Sequence, residues 1–264
     1  MISYAIMLAL VRAVSPMIAE CELTHLQRRP IDATLAAEQH EAYERCINGH
    51  DCTLIHVDPA PSMADGVFVE DTVIVLDEVA VITRPGAESR RRETEGVERA
   101  LEPYRPLKHI VSPATIDGGD VLRVGRTLYV GRSQRTTDDA IEQLREIVWA
   151  HGYTVVSTTF HGCLHLKSAV TQVGERTLLC NPEWIRPMGG LEIIAVDPAE
   201  PLAANVLRLG DAIIMAAEHP RTRAILERAG YAVETVSMSE LLKAEAGVTC
   251  CSVIFGGVEV PPAL

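Results

Sequence analysis

The 264-residue sequence predicts an α/β fold, a radial α/β propeller of five ββαβ units with approximate fivefold symmetry. Three observations lead there. Paired short apolar runs about a polar turn recur from Asp71, Asp120, Ser168 and Asn205. Helical segments and a further apolar run follow them. The two ends of the chain together supply the parts of one more copy. A unit of this kind cannot bury both faces of its sheet alone, so the copies must pack around a common axis.

The elements follow in order. Ile2–Arg12 is an apolar run without the basic residues or cleavage site of an export signal, and it reads as a buried strand. Glu38–Gly49 is helical, Thr53–Val57 returns as a strand, and Ser252–Phe255 at the far end completes this composite unit. From Asp71, TVIVLDEVAVITRPG holds two strands, and Ala87–Leu101 has helical composition. From Asp120, VLRVGRTLYVGRS holds two strands about a Gly-Arg turn. The helix Thr137–His151 opens on Thr-Asp-Asp, which satisfies free amides and suits the helix dipole; Gly152 stops it before strand Tyr153–Ser157. From Ser168, AVTQVGERTLLCNPEW is a hairpin with Gly174 at its turn. From Asn205, VLRLGDAIIMAAEH precedes a helix at Pro220–Ala229, with Pro at its start and Gly230 after its end, and a strand at Tyr231–Ser237. The rival is an open doubly wound sheet. Against it, no G-x-G-x-x-G follows the first strand, and the tight turns imply antiparallel hairpins. Gly118-Gly119-Asp120 precedes a strand and not a helix, so it is no phosphate cradle. One domain over residues 1–264 is expected.

Composition narrows the function. With 47% hydrophobic and 23% charged residues the chain is an ordinary globular protein. A net charge of −12 argues against nucleic acid or an anionic membrane as partner and is compatible with a cationic small-molecule substrate. Seven cysteines, an odd number without a CxxC pair, read as reduced thiols in a cytoplasmic protein. No apolar run is long enough for a membrane span.

Polar residues cluster at the unit starts, which converge at one end of the axis in a radial fold. Cys250, in GVTCCSV, follows a glycine-containing turn; it is either a packed thiol or a nucleophile, whereas Cys251 should point inward and pack. Cys21, Cys46, Cys52 and Cys180 read as packed. His165, between leucines, is a structural histidine or the partner of a nucleophilic cysteine. Cys163-x-His165 lacks a second pair to make a zinc site. Asp65, Glu70, Asp71, Asp117 and Asp120 suit turns, yet they adjoin buried-looking strand starts, where clustered carboxylates call for a cation. A guanidinium fits paired carboxylates in bidentate fashion. Arg84 and Arg135 stand just after the second strands of two units, as solvated charges or as a clamp on one carboxylate. Arg90, Arg91 and Arg92 read as a solvated face.

The segments DGVFVED, ITRPGAESRR, TIDGGDVL, YVGRSQRT, LHLKS, VSMSEL and GVTCCSV, in that order between about Val11 and Phe255, resemble the dimethylarginine dimethylaminohydrolases, or dimethylargininases, of the guanidino-group-modifying superfamily. The resemblance implies the pentein fold of that superfamily. It also implies hydrolysis of asymmetric dimethylarginine or monomethylarginine to citrulline plus dimethylamine or methylamine, with no metal or organic cofactor. Carried over by motif, Cys250 is the nucleophile, His165 the acid/base, and Asp117 the acid facing both guanidinium and histidine. Asp65, Glu70 and Asp71 bind substrate with Phe68 between them, and Arg84 and Arg135 hold the α-carboxylate. Leu23 closes over the substrate on a lid, and the main chain near Ala244 completes the α-amino site. A bound cation and His165 would lower the Cys250 thiol pKa. A zinc ion captured by Cys250 would act as an inhibitor, and a homodimer is compatible with the sequence.

One departure discriminates within the superfamily. Arginine and agmatine deiminases carry an acid two residues after the catalytic histidine, where this chain has Lys167. Losing that acid removes a partner for an unsubstituted guanidinium nitrogen and leaves room for a methylated one. The chain is also shorter than those deiminases and lacks their additional helical insertion. Arginine deiminase is the second reading. A ribosome anti-association factor uses the same propeller for binding alone, but it lacks such a Cys/His/acid set.

Overall fold

The computed structural model describes residues 7–186 and 188–256, so the Ile2–Ile6 part of the expected first strand lies outside the described residues. The chain enters with β1 (Met7–Val11), α1 (Ala33–Gly49) and β2 (Cys52–His56). Next come β3 (Val73–Val75), β4 (Ala80–Ile82), α2 (Thr94–Leu101) and β5 (Leu107–His109). The following unit is β6 (Val121–Val124), β7 (Thr127–Arg132), α3 (Asp138–Trp149) and β8 (Thr154–Thr159). A short α4 (Leu166–Ala169) leads into β9 (Val170–Gln172), β10 (Thr177–Cys180) and β11 (Glu192–Ala195). The last full unit is β12 (Leu207–Leu209), β13 (Ala212–Ala216), α5 (Pro220–Arg228) and β14 (Ala232–Val236). After it come α6 (Ser239–Leu242) and β15 (Val253–Gly256).

These strands form five three-stranded sheets, ordered β15-β1-β2, β3-β4-β5, β6-β7-β8, β9-β10-β11 and β12-β13-β14. In every sheet the first two strands are antiparallel and the second pairs parallel with the third. The expected propeller of hairpin, crossover and parallel return is therefore present five times, and both chain ends share one sheet through Ala9 opposite Ile254. The sequence supports the helices locally. The Asp32 side chain accepts the amides of Thr34 and Leu35, which starts α1 five residues before the expected Glu38. Thr137 caps α3 by accepting the Ala140 amide.

Two elements differ from expectation. Ala87–Leu101 divides into a tight helical turn, Glu88–Glu93, followed by α2. Between β10 and β11 the described residues form turns and no helix. That stretch carries Pro182, which has no amide to donate, and Gly189 and Gly190, which lose more backbone entropy in a helix than other residues do.

The first strands stand next to one another about the axis, β15 beside β3, β6 beside β9, and β9 beside β12. One helical turn precedes several of them: Val69–Thr72, Gly118–Asp120, α4 and Val248–Cys251. The turn at Val69–Thr72 touches those at Gly118–Asp120 and Val248–Cys251, and Gly118–Asp120 also touches α4. Backbones approach closely there: a Cβ added at Gly118 would lie 2.0 Å from the Glu70 carbonyl oxygen. Gly118→Ala should therefore lower stability by about 1–3 kcal/mol or more, as overpacking does. An unchanged urea midpoint would show that the ring of turns is looser than this.

Candidate active site

The turns place their side chains at one end of the axis, in a narrow cleft lined by Asp65, Phe68, Asp71, Arg135, His165 and Cys250, with Ala244 at its rim. Cys250 lies on the turn before β15, with its Sγ accepting the Gly247 amide at 3.3 Å. Asn205 holds that turn from the neighbouring unit: its Oδ1 accepts the Thr249 amide at 3.0 Å and its Nδ2 donates to Thr249 Oγ1 at 3.0 Å. Burial pushes the Cys250 thiol up, and the charges of Glu70 and Asp71 push it further, against the Gly247 amide and Lys167. The protein groups around it thus raise the thiol, and the expected lowering is left to a bound cation.

His165 precedes α4 and is 4% exposed. Its Nε2 stands 3.0 Å from Asp117 Oδ2 and its Nδ1 3.6 Å from Asp71 Oδ1. Burial alone would lower its pKa. The charge of Asp71, the hydrogen bond to Asp117 and the charge of Asp120 outweigh that and raise it to about 9. Asp117 Oδ1 also accepts the Gly86 amide at 2.8 Å, which fixes the carboxylate plane. Asp120 does not face the cleft. It braces the histidine turn by accepting from Ser133 Oγ, Thr136 Oγ1 and the Leu166 amide. A Cβ at Gly119 would meet His165 Nδ1 at 2.6 Å, so the glycine pair leaves the space that the imidazole occupies.

Asp71 is engaged through both of its oxygens. Oδ1 accepts the Gly119 amide at 3.0 Å and Oδ2 meets Arg90 Nη1 at 2.7 Å. Burial would raise its pKa, but His165 and Arg90 overcome this and hold it low. Asp65 accepts the Glu22 amide through both oxygens, at 3.2 and 3.1 Å. Asp71, Asp117 and His165 place three metal-capable ligand atoms within 4.8 Å of one another, and Arg90 already supplies a cation to Asp71.

Four expectations need correction. Arg84 does not line the cleft, because its Nη1 donates to the carbonyls of Pro113 and Ala114. Arg90, expected on a solvated face with Arg91 and Arg92, is instead 4% exposed and lines the cleft. It is held by Asp71, by Glu93 at 3.0 Å and by the Phe68 carbonyl. Arg92 alone of the three is fully exposed. The Glu70 carboxylate does not line the cleft: Oε1 meets Lys167 Nζ at 2.5 Å and Oε2 accepts from Thr249 Oγ1, beside the central cavity between the first strands. Leu23 packs half-buried against the apolar cluster around Ile18 and Phe68, and its neighbour Glu22 reaches the cleft.

The segment carrying Leu23 is nevertheless fastened over the site by a residue that carried no sequence signal. Glu245 Oε2 accepts the Thr24 amide at 3.0 Å, and Oε1 accepts the amides of His25 and Leu26. Its backbone is left-handed, with φ of 58°, a conformation that a non-glycine residue holds only when its surroundings enforce it. Arg135 Nη2 adds a bond to Thr24 Oγ1. Glu245→Ala should leave the fold intact and cut hydrogen-exchange protection of the Thr24–Leu26 amides by about 10- to 100-fold, the worth of ~1.5–3 kcal/mol of charge-assisted bonding. Unchanged exchange at these amides would mean that the strap is held elsewhere.

Comparison with known proteins identifies the family of the chain. The sequence model of the arginine deiminase family matches residues 33–207. An N(G),N(G)-dimethylarginine dimethylaminohydrolase of Streptomyces coelicolor is 42% identical over 247 residues, 93% of this chain and 95% of the relative. One of Pseudomonas aeruginosa is 36% identical, covering 85% of this chain and 90% of the relative. The structure of a Cys-to-Ser mutant of a Pseudomonas aeruginosa enzyme of that kind, complexed with citrulline, superposes with a TM-score of 0.89 at 33% identity, covering 96% of this chain and all of that one. The chain therefore belongs to the dimethylarginine dimethylaminohydrolases, within the arginine deiminase family.

Proposed function

We propose that the chain hydrolyses asymmetric dimethylarginine or monomethylarginine to citrulline and dimethylamine or methylamine. Cys250 is the nucleophile, His165 the acid/base and Asp117 the group that orients His165. The observation that carries this reading is one cleft holding a buried cysteine and a histidine clamped between two carboxylates. The guanidinium carbon is a poor electrophile because resonance spreads its charge. Asp71 and Asp117 fix the guanidinium plane, and its positive charge offsets the carboxylates that hold the Cys250 proton on. The Cys250 proton passes to solvent, and the thiolate sulfur bonds to carbon. His165, kept protonated by its acids, gives its proton to the departing amine. The remaining thiouronium is opened by a water that His165 now deprotonates. That water's oxygen becomes the ureido oxygen of citrulline, and the thiol is restored.

Arg135 and Arg90 are the cations nearest a substrate α-carboxylate. Most of the Arg90 donors are engaged by Asp71, Glu93 and the Phe68 carbonyl, so it acts mainly through its charge. Asp65, Phe68 and the main chain at Ala244 line the rest. Lys167 supports methylated arginine over arginine: it cancels Glu70 and points away from the cleft, so no further acid awaits an unsubstituted nitrogen. We read residues 1–264 as one catalytic domain, cytoplasmic in keeping with its seven unpaired cysteines, and acting on a small molecule. Among the described residues no helix is long and apolar enough to cross a membrane.

The test is citrulline and dimethylamine release from asymmetric dimethylarginine, with arginine alongside. Wild type should turn over the methylated substrate, and Cys250→Ser should lose at least a thousandfold. Turnover of arginine alone, with ammonia released, would move the protein to the deiminases. The pH profile gives a second check. A histidine raised to about 9 donates its proton below that value, so kcat/KM should fall along an alkaline limb near pH 9. Asp117→Asn removes a charge that favours the imidazolium, so the limb should move to lower pH; a limb that stays in place would remove Asp117 from its role.

A further inference from the structure

Cys46 and His50 stand four residues apart at the C-terminal end of α1, with His50 as its capping residue, so both side chains lie on one face. Opposite them is Glu234 on β14, the outer strand of the adjoining sheet. Its Oε1 accepts from Cys46 Sγ at 3.1 Å and its Oε2 lies 2.9 Å from His50 Nε2. The three ligand atoms fall within 4.8 Å of one another. A thiol, an imidazole and a carboxylate bunched this closely are separated about as ligands of one tetrahedral ion are, roughly 3–4 Å. The helix end also presents free carbonyls and the negative pole of its dipole, which favour a cation. Cys46 is buried, whereas the His50 and Glu234 side chains are 25% and 50% exposed, so a fourth position opens to water.

We propose that Cys46, His50 and Glu234 form a binding site for a borderline transition-metal ion of the zinc class, separate from the catalytic cleft. Metal–sulfur bond formation displaces the Cys46 thiol proton to solvent, and a water completes the tetrahedron. The ion ties α1, which belongs to the sheet shared by the two chain ends, to the last strand of the preceding unit. It therefore staples the seam at which the ring closes. Its effect is on stability and not on turnover, unlike an ion captured by Cys250.

The experiment uses the full chain carrying Cys250→Ser, which removes the competing active-site thiol. Co²⁺ should give a thiolate-to-metal charge-transfer band that saturates at one equivalent. Cys46→Ala on that background should abolish the band, and His50→Ala or Glu234→Gln should weaken binding at least tenfold. Zn²⁺ should raise the melting temperature of the Cys250→Ser chain and leave that of its His50→Ala derivative unmoved; His50 is exposed enough for this variant to fold. No charge-transfer band, a band that survives Cys46→Ala, or a Zn²⁺ shift that survives His50→Ala would each overturn the proposal.

Discussion

The carboxylate of Asp71 is the contact on which the catalytic end of the molecule depends. At 3% exposure it has lost its water, and an ion of this size stripped of water costs several kcal/mol unless cations and donors replace it. Arg90, the Gly119 amide and His165 do so from three directions. Each is fixed in return. Arg90 is drawn inward and then needs Glu93 and the Phe68 carbonyl for its remaining donors. Gly119 brings the turn of the second unit against that of the first. His165 gains the charge that keeps it protonated. Such a network resists piecemeal change, because removing one member strands the others, at about 3–5 kcal/mol for a broken buried pair.

Repetition explains how one short chain collects so many different groups in one place. Each unit brings its first strand to the axis, and the residues just before that strand arrive at the same end. From these equivalent positions the units supply Asp71, Asp117, His165, Asn205 and Cys250 in turn. The backbone is common and the chemistry is divided, so the substitutions that specialise a unit leave its sheet untouched. Two glycines at the start of the second unit are the cost of this convergence, since two turns and an imidazole meet where a side chain would stand.

Much of this was legible in the sequence because strand pairing and turn chemistry are local. The four hairpins and the cap of α3 follow from patterns a few residues long, whereas the Asp32 cap that starts α1 was missed. The candidate residues Cys250, His165 and Asp117 stood out for the same reason: they sit at the unit starts. Long-range pairing was not. Arg84 and Arg90 are both arginines near one hairpin, and only the acid surplus of the folded site decides that Arg90 is drawn in while Arg84 finds carbonyls outside. A run of three arginines suggested a solvated face, yet Glu93 three residues after Arg90 was a local hint of the pairing. Glu245 lies 221 residues from the farthest amide it holds, that of Thr24, and no spacing rule connects them. Likewise Glu70 was read as a substrate-binding acid because Lys167, which neutralises it, belongs to another unit.

Charge in the cleft also bears on which molecules the site accepts. Burial raises the Cys250 thiol first, with the charges of Glu70 and Asp71 adding to it, and Asp71 is also among the acids that raise His165. On the proposed reading, a guanidinium entering beside Asp71 offsets charge that holds the thiol proton on, and the nucleophile forms where its target already lies. A urea is neutral and brings no such compensation. When citrulline replaces the cation, the carboxylates regain their hold on the thiol, sulfur returns to its unreactive form, and attack on the product is suppressed. Selectivity for a cation over a neutral urea then has its origin in the burial and the negative charge around a single thiol.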